Sequence, residues 1–308
     1  MVYSNIHTDK DIFSDLIALK EISCSSYYKR KEPTSTFPLK YYEFFLQEIK
    51  RLDIETVTYQ DLFKNSSDWS YTSNYIKEYE NWKQNRCNPN KTYLLIQHDI
   101  DNHPFFTKRM VALEALYGIR SNIFMFRHRY SRKSQNGIDK LYEIDHEFFK
   151  QAEYNGYIIG YHQNALPLSD FNLQKATERY RSDVNFLRKK YNINFVVPHG
   201  GQGTIINGKP VYNVDVPMPK EFEYNLRWVF NRYGVKFDGK WSDGGLRKER
   251  DIKRIRNFDL VRSFLYKMKK GNRYFCLVHP QRWGFNIDMH INPILAQEKW
   301  YQEICNYG

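Results

Sequence analysis

The residues that could do chemistry in this chain are histidines and aspartates set just after short apolar runs. Gln97-His98-Asp99-Ile100-Asp101 follows Leu95-Ile96, and Tyr161-His162-Gln163 follows Ile158-Ile159-Gly160. Pro198-His199-Gly200-Gly201 follows Phe195-Val196-Val197, Ser242-Asp243-Gly244-Gly245 follows Trp241, and His279-Pro280 follows Leu277-Val278. Taken singly, each has a plainer reading. A histidine after a strand is often a hydrogen-bonded structural residue, and an aspartate there is often a turn or an N-cap. Five such sites in one chain favour a joint reading. Imidazole and carboxylate together bind zinc or a similar divalent ion. Such an ion lowers the pKa of water and polarises a carbonyl. A free carboxylate can take a proton and a histidine opposite can give one. That set suits hydrolysis of an amide or ester. There is no G-x-S-x-G elbow, Walker A loop or G-x-G-x-x-G turn.

Positioning these residues requires a particular arrangement of elements. Apolar runs at 93–96, 122–126, 157–160, 194–197, 235–241 and 274–278 read as strands. Helical spacing predicts helices at 104–117, 145–154, 173–191, 222–233, 257–270 and 292–304. Strand and helix alternate, so the strands should be parallel and joined by crossover helices. A (β/α) barrel, complete or incomplete, fits better than an open sheet of four or five strands. In such folds chemistry gathers at the C-terminal strand ends, where His98, His162, His199 and His279 fall. His7, His103, His128, His146 and His290 fall in loops or helices. Residues 1–90 read as an N-terminal elaboration packed on a barrel domain of 91–308, with one helix at 39–51 and a short strand at 55–59.

Composition narrows the class. The 308 residues carry 47 Lys+Arg against 35 Asp+Glu, a formal +12, and 17% are aromatic. The balance points to an anionic partner without choosing among nucleic acid, nucleotide sugar, lipid phosphate and acidic glycan. No apolar run is long enough to span a bilayer, and the first twenty residues lack the apolar core of an export signal. The four cysteines are far apart, which argues against a zinc ribbon or disulfide framework. A cytoplasmic location, peripheral at the membrane if the substrate is lipid-linked, is the expectation. The basic clusters at 127–133, 247–256 and 267–273 keep nucleic-acid binding as an alternative, but no nucleic-acid module is visible.

The same residues resemble a known family. His98-Asp99-Ile100-Asp101 is similar to the H-D-V-D variant of the first motif of polysaccharide deacetylases, the NodB-homology or carbohydrate esterase four superfamily. ALEALYGIRSNIFMF (112–126) resembles that family's helix, G-I-R turn and second strand. GYIIGYH (156–162) resembles the second motif and Pro198-His199-Gly200 the third. Ser242-Asp243-Gly244 resembles the fourth, and Leu277-Val278-His279-Pro280 with Trp283 the fifth. The resemblance implies an irregular (β/α)7 barrel. It implies a metal-dependent hydrolase that removes an N- or O-acyl group, N-acetyl first, from a sugar in cell-surface polysaccharide synthesis. Asp99 would be the catalytic base and His279 the general acid, with Asp243 orienting His279. Asp101 and His162 would be metal ligands, with zinc the first choice of ion.

Two departures stand out. Ile100 separates carboxylates that are usually adjacent, so the roles of Asp99 and Asp101 could be exchanged. Leu166 stands where the second motif usually has a second histidine, so a third ligand must come from elsewhere, His199 first and His98 second. With a ligand lost, a non-catalytic glycan-binding relative is the leading alternative. Sugar rings stack on aromatic faces, so Tyr161, Trp241 and Trp283, with His98, are expected to touch an N-acylated sugar. The basic charge suggests one that is nucleotide- or lipid-phosphate-linked.

Overall fold

The structure is a computed structural model and describes residues 37–64, 75–102, 104–129, 142–200, 203–230, 234–245 and 260–284. Helix α1 (Leu39–Arg51), strand β1 (Ile54–Thr56), α2 (Tyr59–Phe63) and α3 (Tyr75–Asn85) come first. Then follow β2 (Thr92–Ile100), α4 (Pro104–Leu116), β3 (Asn122–Met125), α5 (His146–Tyr154), β4 (Ile158–Gln163), α6 (Leu173–Arg188) and β5 (Phe195–Pro198). The last strands of the sheet are β6 (Arg227–Trp228), β7 (Gly239–Ser242) and β8 (Arg273–Val278). The main sheet runs β7-β8-β2-β3-β4-β5-β6, with β1 beside the start of β2, and every pair is parallel. It curls into a half-barrel of the irregular (β/α)7 type. Among the described residues, β6 and β7 do not pair, so the barrel has an open seam.

Local chemistry accounts for the crossovers. Pro104 starts α4, where a missing N–H costs nothing, and Gly118 follows its end at φ 63°, a conformation glycine adopts without a Cβ penalty. Asp145 caps α5 by accepting from Phe148 N, and Asn172 caps α6 by accepting from Lys175 N. Gly160 on β4 is required by packing. A Cβ there would lie 2.3 Å from the Phe124 ring, far inside contact distance.

Side chains alternate across each strand, and this divides the core. Ile96 packs outward with Tyr42, Met110, Val278 and Cys276 beneath α1 and α4. Ile123, Ile159 and Val196 pack outward with residues of α5 and α6. Leu95, Phe124, Phe195, Val197 and Phe275 fill the lumen, and Tyr59 and Phe63 of α2 join them.

Several expected elements differ. The strand expected at 55–59 is Ile54–Thr56, because Thr58 is the N-cap of a capping box with Asp61 and starts α2. The helix expected at 222–233 is absent over its described part. Phe222, Leu226 and Trp228 are buried, which mimics helical spacing, but Val196 pairs with Trp228 as β6. Leu260–Phe264 is a π-helical turn followed by a 3-10 turn, Leu265–Lys267, not a long helix. The expected strands at 93–96 and 157–160 run on to Ile100 and Gln163, so their histidines lie within the sheet. The helix expected at 292–304 lies outside the described residues. Among the described residues no helix is long and apolar enough to cross a membrane.

Candidate active site

The site forms where β2, β4, β5, β7 and β8 end. Asp99 lies near the end of β2, and Asp101 follows its end in a tight bend where Asp101 N donates to Asp99 O at 3.1 Å. The intervening Ile100 turns into the core with no exposed surface. Asp101 Oδ1 lies 3.2 Å from His162 Nε2 and 3.5 Å from His199 Nε2. Ligand bonds of ~2.0–2.1 Å in a tetrahedral set place neighbouring donors about 3.3 Å apart, so this group can hold a divalent ion. The other ring nitrogens are already engaged, as ligand histidines require. His162 Nδ1 lies 3.3 Å from Val197 O, and His199 Nδ1 lies 3.2 Å from Asn164 Oδ1. Asn213 donates to Asn164 Oδ1 and to His199 O, and its Oδ1 accepts from Leu166 N. Leu166 is buried in the core, and its backbone helps fix the His199 loop. Phe126 stacks on His162 at 4.9 Å and meets His199 edge-on at 5.3 Å.

Asp99 and His279 flank this group. Asp99 Oδ2 is 3.9 Å from His162 Nε2, and His279 Nε2 is 3.8 Å from Asp101 Oδ2. Gln97 Nε2 donates to Asp99 Oδ1 at 2.7 Å, and the Tyr59 hydroxyl donates to Gln97 Oε1 at 2.7 Å. Asp243 is wholly buried. It pairs with His279 Nδ1, accepts from His279 N at 2.7 Å and accepts from Trp283 Nε1 at 3.0 Å. Arg282 donates to Asp243 O.

These neighbours set the protonation states. Burial raises Asp99, and His162 and His279 only partly offset it. Burial also opposes the ionised form of Asp101, but the facing imidazoles, His162 foremost, hold it well below the usual carboxylate range. For His279, burial disfavours the charged ring, yet Asp243 and then Asp101 outweigh it and carry its pKa to about 9. Burial, joined by the neighbouring His162, lowers His199 to about 4, which leaves it neutral and able to bind a metal at pH 7. For His162, burial disfavours the charged ring, but Asp99 and Asp101 outweigh it and raise its pKa.

Four residues expected on the substrate lie elsewhere: alternation along their strands turns His98, Tyr161 and Trp241 outward, and Trp283 lies past the turn that follows β8. His98 is wholly buried behind β2, with Nε2 2.7 Å from Glu114 Oε1, and so is not a metal ligand in this arrangement. The Tyr161 hydroxyl donates to Asp183 Oδ2 on α6. Trp241 is in register with outward-facing Cys276 and lies in the outer core. Trp283 has no exposed surface and spends its indole N–H on Asp243, so it positions the acid pair. His146 meets the Tyr191 hydroxyl and His128 meets Arg179, both away from the site. Of the basic cluster at 267–273, Arg273 is buried against Glu78, which removes it from any phosphate-facing surface. The cluster at 247–256 lies outside the described residues.

Sequence reasoning missed Tyr59, Gln97, Phe126, Asn164 and Asn213. Only Gln97 carried a signal, since it shares a strand face with Asp99.

No family model matches the sequence, and no curated protein matches it. Among solved structures it is similar to a CE4 family pseudoenzyme from Bacillus anthracis, at 11% identity and a TM-score of 0.35 over 72% of this chain and 63% of that one. A mutant of that pseudoenzyme matches at 13% identity and a TM-score of 0.36, over 72% and 65%. A mutant described as having restored enzymatic activity matches at 13% and 0.32, over 72% and 65%. This chain spans less than two thirds of the length of each.

Proposed function

We propose that this chain is a metal-dependent carbohydrate deacylase of the polysaccharide deacetylase type, in the H-D-V-D subgroup, with an N-acylated sugar as substrate. One observation carries the reading: Asp101, His162 and His199 converge within metal-ligand spacing, flanked by Asp99 and by the His279–Asp243 pair. His199, from the end of β5, replaces the missing histidine at Leu166. A divalent ion, zinc first, would polarise the acyl carbonyl and favour ionisation of the attacking water.

The chain's own residues divide the remaining work. Asp99, steadied by Gln97, takes a proton from the attacking water. His279, kept protonated by Asp243, gives a proton to the sugar nitrogen or oxygen as the acyl carbon–heteroatom bond breaks. The water oxygen ends on the acyl carbon, and the products are a carboxylic acid and the free amino or hydroxyl sugar. Asp101 stays ionised throughout. Asp101 is given the ligand role because it faces both imidazoles, and Asp99, 3.9 Å from His162 alone, is given that of the base.

Acyl-acid release from N-acetylated sugars after zinc or cobalt addition tests this. The expected result is release in the wild type and its loss in Asp99→Asn. A metal-loaded protein that binds such sugars and releases no acid would establish the non-catalytic glycan-binding alternative instead.

A further inference from the structure

The lumen of the half-barrel is not filled where it meets the site. A cavity of about 390 Å³ opens between Asp99, His199 and His279 and continues down the barrel. Its apolar lining is Val197, Val214, Val229, Phe230, Phe275 and Leu277, and Gln97, Pro198, Gly200 and Tyr212 complete the wall. Phe275, Leu277 and His279 are alternate residues on and just past β8. At ~3.3 Å per residue the apolar wall therefore runs on the order of 13 Å below His279.

We propose that this lumen is the acyl pocket, and that it takes an acyl chain longer than acetyl. The inference rests on the deacylase reading and names the group removed. A volume near 390 Å³ would hold about a dozen waters at ~30 Å³ each, and an acetyl methyl would occupy only a small part of it. The sugar is a poor occupant of the depth, because each hydroxyl there would need a partner. Gln97, which lines the cavity on the face of β2 that carries Asp99, is already committed, accepting from Tyr59 and donating to Asp99. Tyr161, Trp241 and Trp283 lie in the outer core, so the aromatic lining is Tyr212, Phe230 and Phe275. An alkyl chain makes no such demand. With its carbonyl between Asp99 and His279, its tail would lie against Leu277 and Phe275 while the sugar stays at the strand ends.

The test is equilibrium binding of N-acetyl-, N-butanoyl- and N-hexanoyl-glucosamine to the zinc-supplemented Asp99→Asn protein, followed by calorimetry. Acid release from the same sugars is measured with the wild type. Each methylene buried should tighten binding about fourfold, at ~0.8 kcal/mol each. Hexanoyl should therefore bind on the order of a hundredfold tighter than acetyl. Val229→Phe, which fills the lumen, should abolish that dependence on length. Affinity that is flat or falls beyond acetyl in the unfilled protein overturns the inference, whether or not the Phe variant folds. The two readings fail separately. Length-dependent binding with no acid released sinks the hydrolase and leaves the pocket. Acetate release with affinity indifferent to length does the reverse.

Discussion

Glu114 on α4 should be a principal anchor of the site strand, and replacing it should cost the protein much of its margin of stability. It has no exposed surface. Its Oε1 takes His98 Nε2 of β2 at 2.7 Å and the Tyr42 hydroxyl of α1, and its Oε2 accepts from Ser121 Oγ at 2.6 Å. Burial, and then the Glu114 charge, raises the Tyr42 phenol so that it stays a donor. Leucine fills similar space and leaves three buried polar groups without this partner. Each costs about 1–3 kcal/mol, and because neighbouring losses are not additive the total should be about 4 kcal/mol. Unfolding entropy near 2.1 cal/mol/K per residue converts that to a drop in Tm of about 6 °C for a chain this long. Urea denaturation and calorimetry of Glu114→Leu, beside Tyr42→Phe at about 1 kcal/mol, measure it. A Glu114→Leu protein within about 0.5 kcal/mol of wild type would refute the claim that this carboxylate ties β2 to its helices.

Three further outcomes are expected. Tyr59→Phe removes the donor that fixes Gln97 and so loosens Asp99; acid release should show kcat falling about tenfold with KM little changed, and a KM effect alone would contradict it. Asp243→Asn leaves either the His279 ring or the Trp283 N–H poorly matched, which should cost about 3 kcal/mol and lower acid release at least about a hundredfold; a variant as active as wild type would remove Asp243 from the acid pair. Asp145→Ala removes the α5 cap and should cost about 1 kcal/mol. Burial raises the Asp145 carboxyl, but the Lys108 ammonium and the helix N–H groups bring it below its ordinary value. That stabilisation is therefore present above the unfolded pKa near ~4 and is lost as pH falls through the lowered folded value. A stability gap between the two proteins that does not narrow under acid would be inconsistent with this.

The order of strands and helices was legible because burial on a parallel sheet writes itself as short apolar runs between helical repeats. The convergence of Asp101, His162 and His199 was legible too, since all three follow such runs and strand ends share one side of the sheet. Facing was the hard part. Moving a strand boundary by one or two residues decides whether His98, Tyr161 and Trp241 look into the lumen or into the outer core, and apolar runs do not mark that boundary. The stretch from Phe222 to Trp228 misled for a related reason: its apolar residues fall at helical spacing, while pairing with β5 settles the conformation. Tyr59 reaches Gln97 across 38 positions in sequence, and Phe126 supports two imidazoles from different strands. No local pattern signals contacts of that kind.

The central claim is that Asp101, His162 and His199 together hold a divalent ion beside Asp99 and His279. Zinc-edge anomalous diffraction from zinc-soaked crystals tests it most directly. The expected result is one peak at ~2.0–2.2 Å from His162 Nε2, His199 Nε2 and an Asp101 oxygen, lost in His199→Ala. Zinc bound elsewhere, with these three side chains left without it, would contradict it.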